Sequence, residues 1–422
     1  MSELYFNRYL LILLSILPIS FLIGPSISLI NILIFDISIM FFFFIKKEWL
    51  WTNEITIKIL LLLYLYLIFN TFISLDPKIN FLRSFGFIRL IILFVGVNYF
   101  FYKYKYPNKI FTYWSFMILL IVIDIYIEAI FGSNILGYGT NENRIASFFK
   151  DELIVGGFVM SFCFIIIGFY LNKFNNLNKF IKIILLIFLT LFLMSIILTG
   201  ERSNSIKALI ALSILIFSYY RFNLKSFFLM IIIFTTIIFF INTNNYLKNR
   251  FTSSIIYSAN TFISSFQHGI PHDNPSGNLY AKLYRSGYEV FKNYPYFGVG
   301  NKNYRLEACN NQLYQRGIHI MLNDYVCMTH PHQIYFELLS EHGILGTLLI
   351  LAVFSFLLLR GFKANITEKN FIGLGCFCYL LTVFTPLIPS GSFFSDYNIS
   401  LFFINLSIMY ASNKQLNIFN KQ

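Results

Sequence analysis

About twelve stretches of this chain are long and apolar enough to cross a bilayer, which takes roughly 20 mostly apolar residues. They centre near Leu13, Leu33, Leu63, Leu93, Leu120, Phe162, Phe188, Ile214, Ile233, Leu349, Leu380 and Phe403. Inside hydrocarbon every backbone N–H and C=O must be paired within the protein, so runs of this length read as helices. Only 12% of the residues are charged, about half the share found in soluble domains. The expected fold is therefore an all-α polytopic membrane protein, with residues 1–422 forming one membrane domain. One large polar insertion, 242–331, interrupts it between the ninth and tenth spans, and no room remains for a second domain.

The net charge of +13 would suit a nucleic-acid partner, but its distribution excludes that reading. The basic residues collect in alternate loops: Lys46, Lys47 and Lys58; Lys103, Lys105 and Lys109; Lys173, Lys179 and Lys182; Arg221 and Lys225; Arg360, Lys363 and Lys369. Alternation of this kind marks cytoplasmic loops. It puts both termini in the cytoplasm and the 242–331 insertion outside, in the periplasm of a Gram-negative cell. The opposite loops, such as Asp76–Arg83 and Asn141–Glu152, are mixed in sign. The first apolar segment is interrupted by Pro18, Gly24 and Pro25 and has no small-residue cleavage site, so it reads as a retained helix in contact with membrane lipids.

Polar chemistry gathers at the outer face. The insertion closes with Thr329-His330-Pro331-His332-Gln333-Ile334-Tyr335-Phe336-Glu337, and an apolar run follows through Glu341, His342, Gly343 and Gly346. His332 is the candidate general base, because an imidazole titrates near neutral pH. His330, Glu337 and Glu341 read either as its supports or as charges favoured at a helix start. Arg202, in Gly200-Glu201-Arg202-Ser203-Asn204, can reach lipid phosphate or grip a diphosphate with its fork of donors. Arg250 is a second phosphate ligand or a solvated boundary residue. Leu279 to Tyr294 has helical amphipathic spacing, and its Lys282 and Arg285 face either the site or water. Pro295 ends that helix, and Tyr296-Phe297-Gly298-Val299-Gly300-Asn301 makes a tight turn.

Of the five cysteines, Cys163, Cys376 and Cys378 read as packing within helices, while Cys309 and Cys327 are a disulfide candidate in the outer loop. His268, His272, His330, His332 and Cys327 share that loop, but Pro271 breaks the spacing of the first two and no Cys-x-x-Cys or His-Glu-x-x-His occurs. No metal is expected. Asp124 and Glu128, four apart on one helix, and Asp36 could serve proton-coupled transport; water-facing or paired carboxylates are the other reading.

These residues resemble the O-antigen ligase/polymerase superfamily of membrane glycosyltransferases. The family's ligase signature is His followed by Asn, Ser or Gln, nine residues, Gly, two residues, and Gly, Thr or Tyr. Here it stands as His332-Gln333, nine residues to His342, then Gly343-Ile344-Leu345-Gly346. The Tyr294-Pro295-Tyr296-Phe297-Gly298-Val299-Gly300 turn and Arg202 after Gly200-Glu201 are also similar to the family. The resemblance implies a GT-C-like enzyme that needs no metal or cofactor. It would take a glycan from undecaprenyl diphosphate and pass it to an acceptor hydroxyl, on lipid A core for a ligase or on a lipid-linked glycan for a polymerase. Arg202 and a second arginine would hold the diphosphate, and His332 would activate the acceptor. The chain departs from the family where an arginine often precedes the amphipathic helix; Asn278, Leu279 and Tyr280 stand there, so Arg250 or Arg285 is expected to substitute. The full signature favours a ligase over a polymerase. A lipid-linked glycan transporter is the alternative from another class, and it would predict paired repeats rather than a large outer loop.

Overall fold

A computed structural model describes the chain except for residues 1–2, 105–106, 140–143, 151, 175–176, 221–222, 254–255, 257–259, 261–278, 310–324 and 421–422. All twelve apolar segments are helices. Nine precede the insertion: α1 Glu3–Ile23, α2 Pro25–Lys46, α3 Ile55–Phe72, α4 Pro77–Lys103, α5 Asn108–Phe131, α6 Val155–Phe174, α7 Lys179–Leu198, α8 Arg202–Tyr220 and α9 Leu224–Thr243. Within the insertion lie α10, Leu279–Asn293, and the short α11, Tyr304–Cys309. Three helices follow: α12 Ile334–Thr367, α13 Phe371–Val383 and α14 Asp396–Ala411. The insertion thus runs between Thr243 and Ile334, a shift of two residues at each end from the sequence expectation. His268, His272, Asn278, Lys105 and Arg221 lie outside the described residues. The Cys309 and Cys327 sulfurs are bonded to each other.

Among the described residues ten helices are long and apolar enough to cross a membrane, and the last two are shorter than the sequence suggested. With 13 residues, α13 rises only about 20 Å against roughly 30 Å of hydrocarbon. The chain then runs as irregular backbone from Phe384 to Ser395 before α14 begins. Such backbone is tolerated at membrane depth only where the protein satisfies it, and here it does. The Glu337 carboxylate accepts from the Ser392 hydroxyl and the Phe393 N–H, the latter at 3.0 Å. Tyr335 donates to the Phe384 carbonyl at 2.7 Å and Tyr284 to the Leu387 carbonyl at 3.2 Å. The packing of α13 against α6 and α8, and of α14 against α4, makes this segment an internal wall.

The long α12 is broken at Gly343, whose φ of 62° and ψ of −170° leave the helix. Breaking a helix orphans carbonyls on one side and N–H groups on the other. The turn after α10 satisfies both. Val299 and Gly300 donate to the Ser340 and Glu341 carbonyls at 3.0 and 2.9 Å, while Ile344 and Leu345 donate back to Pro295 and Tyr296 at 2.8 and 3.2 Å. The two backbones touch: a Cβ on Gly298 would fall 2.3 Å from the Glu341 carbonyl carbon, and one on Gly343 2.3 Å from that of Tyr296. Asn70 of α3 closes the joint, donating to Phe297 at 3.1 Å and accepting from the Asn301 N–H at 2.9 Å. Tyr66, also on α3, donates to the His342 carbonyl at 3.3 Å and lies where a side chain at Gly346 would be. The two glycines of the signature therefore serve packing. Gly132, at the end of α5, shares the positive φ (77°) but has nothing within 4 Å of an added Cβ. Gly132→Ala should cost only the backbone strain, about 1 kcal/mol. Gly343→Ala should cost about 3 kcal/mol or more through backbone overlap. Thermal unfolding of the purified protein in detergent checks the difference; equal losses would mean the joint is not tight.

Candidate functional site

A cavity of about 700 Å³ opens among α6, α8, α10, α13 and the 384–395 segment, a size within the range of small-molecule sites. One part of its wall is cationic, with Arg144, Arg202, Lys207 and Arg250, and His332 stands in the same wall. Another part is apolar, with Phe158, Met160, Ile206, Val383 and Leu401. The cavity therefore suits a molecule with an anionic head and an apolar tail.

Arg202 is the first residue of α8 and follows Gly200, whose φ is 72°. The carboxylate next to it does not neutralise it. Glu201 is buried and accepts from the Gly156 and Gly157 N–H groups at 2.8 and 3.2 Å and from the Asn204 amide. These are orphan donors of the first turn of α6, so Glu201 caps that helix. Burial pushes its pKa up, against these hydrogen bonds and the charge of Arg144. Arg250 donates through Nε to the Gly200 carbonyl at 3.2 Å. Arg144 donates to the Leu153 carbonyl at 3.3 Å, and its Nε has no acceptor. Among the described residues none of the three guanidiniums is within 4.0 Å of a carboxylate oxygen. Burial, then the charges of Arg202 and Arg144, pull the Arg250 pKa down. Like charges crowded in this way call for an anion between them.

The structure thus brings Arg202 and Arg250 into one cavity wall, and Arg285 is not part of that wall. Helix α10 presents Tyr280 and Tyr284, four apart, to the cavity; Arg285, about 100° round from Tyr284, does not line it, and neither does Lys282. Arg144 was missed, since its loop reads only as mixed in sign. The hidden signal was the acid pair upstream. Asp124 accepts from the Ile135 N–H at 2.9 Å and from the Ser147 hydroxyl, and Glu128 accepts from the Ala146 and Ser147 N–H groups at 3.3 and 2.7 Å. Both carboxylates of that helix face are paired and clamp the loop that carries Arg144. Asp36 is buried on α2 with neither oxygen hydrogen-bonded, away from the cavity wall.

His332 precedes α12 with a φ of 56°, outside the helix. The Gln333 side chain is the helix cap, accepting from the Tyr335 and Phe336 N–H groups at 2.8 and 3.1 Å. The signature's second position, Asn, Ser or Gln, is therefore filled by a residue able to cap. The His332 carbonyl accepts from the Ser390 N–H at 2.8 Å, which ties it to the irregular segment. The His330 ring packs against that of His332 with centroids 4.0 Å apart, and His330 Nδ1 lies 3.0 Å from the Thr329 hydroxyl. Burial lowers the pKa of His332 below its usual 6.5, with Glu337 opposing. Burial lowers His330 further, to about 4. Both rings are neutral at neutral pH, and a neutral imidazole can accept a proton. Glu337 is engaged by hydrogen bonds with the 384–395 segment and not with the histidines. It makes no hydrogen bond to His332; fully buried, it holds the irregular segment and lies 3.6 Å from Lys302 Nζ. Glu341 is buried in the joint and does not line the cavity. Among the described residues no three His, Cys, Asp or Glu side chains are grouped to hold a metal.

The low His330 pKa carries a stability consequence. Between 6.5 and about 4 the unfolded chain binds a proton that the folded chain refuses, so stability falls as pH drops through that window, by up to about 3 kcal/mol. His330→Asn should flatten melting temperature against pH from 7 to 4; an unchanged slope would assign the acid sensitivity elsewhere.

No curated protein matches the chain. Residues 183–351 match the family model described as O-Antigen ligase. That stretch runs from α7 past the break in α12 and carries Arg202, Arg250, the turn after α10 and His332, whereas Arg144 and the 384–395 segment lie outside it. The family consists of membrane glycosyltransferase-like ligases and polymerases. Residues 183–351 of this multi-pass membrane protein, helical among the described residues, are thus similar to the O-antigen ligase family.

Proposed function

We propose that the protein is an O-antigen ligase-type glycosyltransferase. It moves a glycan from undecaprenyl diphosphate to a hydroxyl of lipid A core at the periplasmic face of the bacterial inner membrane. The observation that carries this reading is the convergence of Arg144, Arg202 and Arg250, none of them ion-paired among the described residues, on a cavity shared with a neutral His332. The arginines grip the diphosphate bidentately, and the apolar wall receives the start of the polyprenyl chain. His332 takes the proton from the acceptor hydroxyl as its oxygen attacks the anomeric carbon. The bond from that carbon to the diphosphate oxygen breaks, and undecaprenyl diphosphate leaves with its charge offset by the guanidiniums. Charge stabilisation and proton transfer are both assigned to side chains, so this reading gives no role to a metal or cofactor.

The same arrangement serves a polymerase if a second lipid-linked glycan supplies the hydroxyl. The match of His332-Gln333 through Gly346 to the ligase signature supports the ligase. The experiment is complementation of a ligase- and polymerase-defined strain with wild type, His332→Ala, Arg202→Ala and Arg285→Ala, reading lipopolysaccharide and lipid-linked glycan on gels with expression checked. His332→Ala should lower transfer about 10²- to 10⁴-fold, and Arg202→Ala about 10²-fold. Arg285→Ala should behave as wild type. Accumulation of polymerised donor identifies a ligase, and accumulation of single-repeat donor a polymerase. Wild-type behaviour of the His332 and Arg202 variants would sink the enzyme reading in favour of a transporter. In membranes, the transfer rate should fall on acidification with an apparent pKa below 6.5, because His332 must be neutral to act.

A further inference from the structure

Lys207 lies five residues beyond Arg202 on α8, lines the same cavity and is 6% exposed. Its ammonium has three donors to satisfy. Among the described residues its one acceptor is the Pro389 carbonyl at 3.5 Å, the outer limit of a hydrogen bond, and no carboxylate oxygen lies within 4.0 Å. A buried, unpaired ammonium in a spanning helix carries a large desolvation cost and marks a functional site. Tethering the 384–395 segment is not a sufficient role for it, because Glu337, Tyr284, Tyr335 and the His332 carbonyl already hold that segment.

Besides Arg144 Nε, two hydroxyls of this cavity's lining residues, those of Ser390 and Tyr397, are buried without a partner among the described residues. Lys207 sits about 7.5 Å further along the helix axis than Arg202, so the cavity has two cationic levels. The outer one is built of guanidiniums. The inner one has a single ammonium, beside Pro389 and hence the Ser390 segment, and Tyr397 also lines the cavity. A compact cation with hydroxyl donors suits a phosphate, held as a point charge and not as a planar fork.

We infer that Lys207, with the Ser390 and Tyr397 hydroxyls, forms a second phosphate subsite that holds the phosphate next to the lipid chain, while the arginines hold the phosphate bonded to the glycan. This rests on the reading of the cavity as a site for a lipid-linked diphosphate. Its consequence is selectivity: a glycan on a monophosphate carrier leaves the inner subsite empty and is a poor donor.

The test is binding of undecaprenyl diphosphate, undecaprenyl monophosphate and inorganic pyrophosphate to the purified protein in nanodiscs. Wild type should prefer the diphosphate lipid over the monophosphate by about tenfold or more. Lys207→Met should erase that preference, Ser390→Ala and Tyr397→Phe should each reduce it, and Arg202→Ala should weaken both lipids. If Lys207→Met keeps the wild-type preference, the subsite is wrong while the diphosphate reading stands. If wild type binds neither lipid, the diphosphate reading itself falls, and the subsite with it. Inorganic pyrophosphate binding as tightly as the lipid, with the same response to Lys207→Met, would overturn the lipid-proximal assignment. Should Lys207→Met fail to fold, Lys207→Gln and the Ser390→Ala/Tyr397→Phe double variant decide the same question.

Discussion

Four backbone hydrogen bonds between the 295–300 turn and the broken α12 hold this structure's working end together. A helix interrupted inside a membrane protein leaves polar groups that hydrocarbon cannot satisfy, so the break exists only because another segment fills it. That segment has to approach backbone to backbone, which Gly298 and Gly343 permit. The joint fixes where α10 leaves and how α12 begins, and so where Tyr280, Tyr284 and His332 stand relative to α8. Glycine spacing in the signature follows from this contact, and capping by Gln333 accounts for the position after the histidine.

Electrostatics supplies the second constraint. Four carboxylates around the cavity are engaged with backbone: Glu201 with the start of α6, Glu337 with the Phe393 N–H, Asp124 and Glu128 with the loop before α6. Among the described residues the cavity's cations have no carboxylate oxygen within 4.0 Å. In a low-dielectric cavity this raises the attraction for an anion well above its value in water. The acids thus do two things at once, ordering the loops that carry the arginines and staying out of their way.

The helix count and the place of the insertion were legible because hydrophobicity is a local property of the chain. His332 and Arg202, which line the cavity, stand out locally through the signature and through the rarity of charge at a span's end. That Arg285 does not line the cavity is not legible locally, because an amphipathic pattern tells which residues share a helix face, not which face meets the cavity. Arg144 and Lys207 were passed over for the converse reason: nothing around them in sequence sets them apart from boundary lysines and arginines. The acid pair Asp124 and Glu128 was visible, but its partners are backbone N–H groups that have no signature in sequence.

By itself, then, the sequence determined a polytopic helical protein with one large loop and a histidine at the foot of the following helix, since periodicity and transfer free energy act within about 20 residues. Tertiary structure alone decided which cations share a cavity, which acids are spent on backbone, and that α13 stops short so that the 384–395 segment can line the site. Those outcomes depend on contacts between residues far apart in the chain, such as Glu201 with Gly156 or Ser390 with His332. Such pairings are settled by how the helices pack, and no local pattern encodes them.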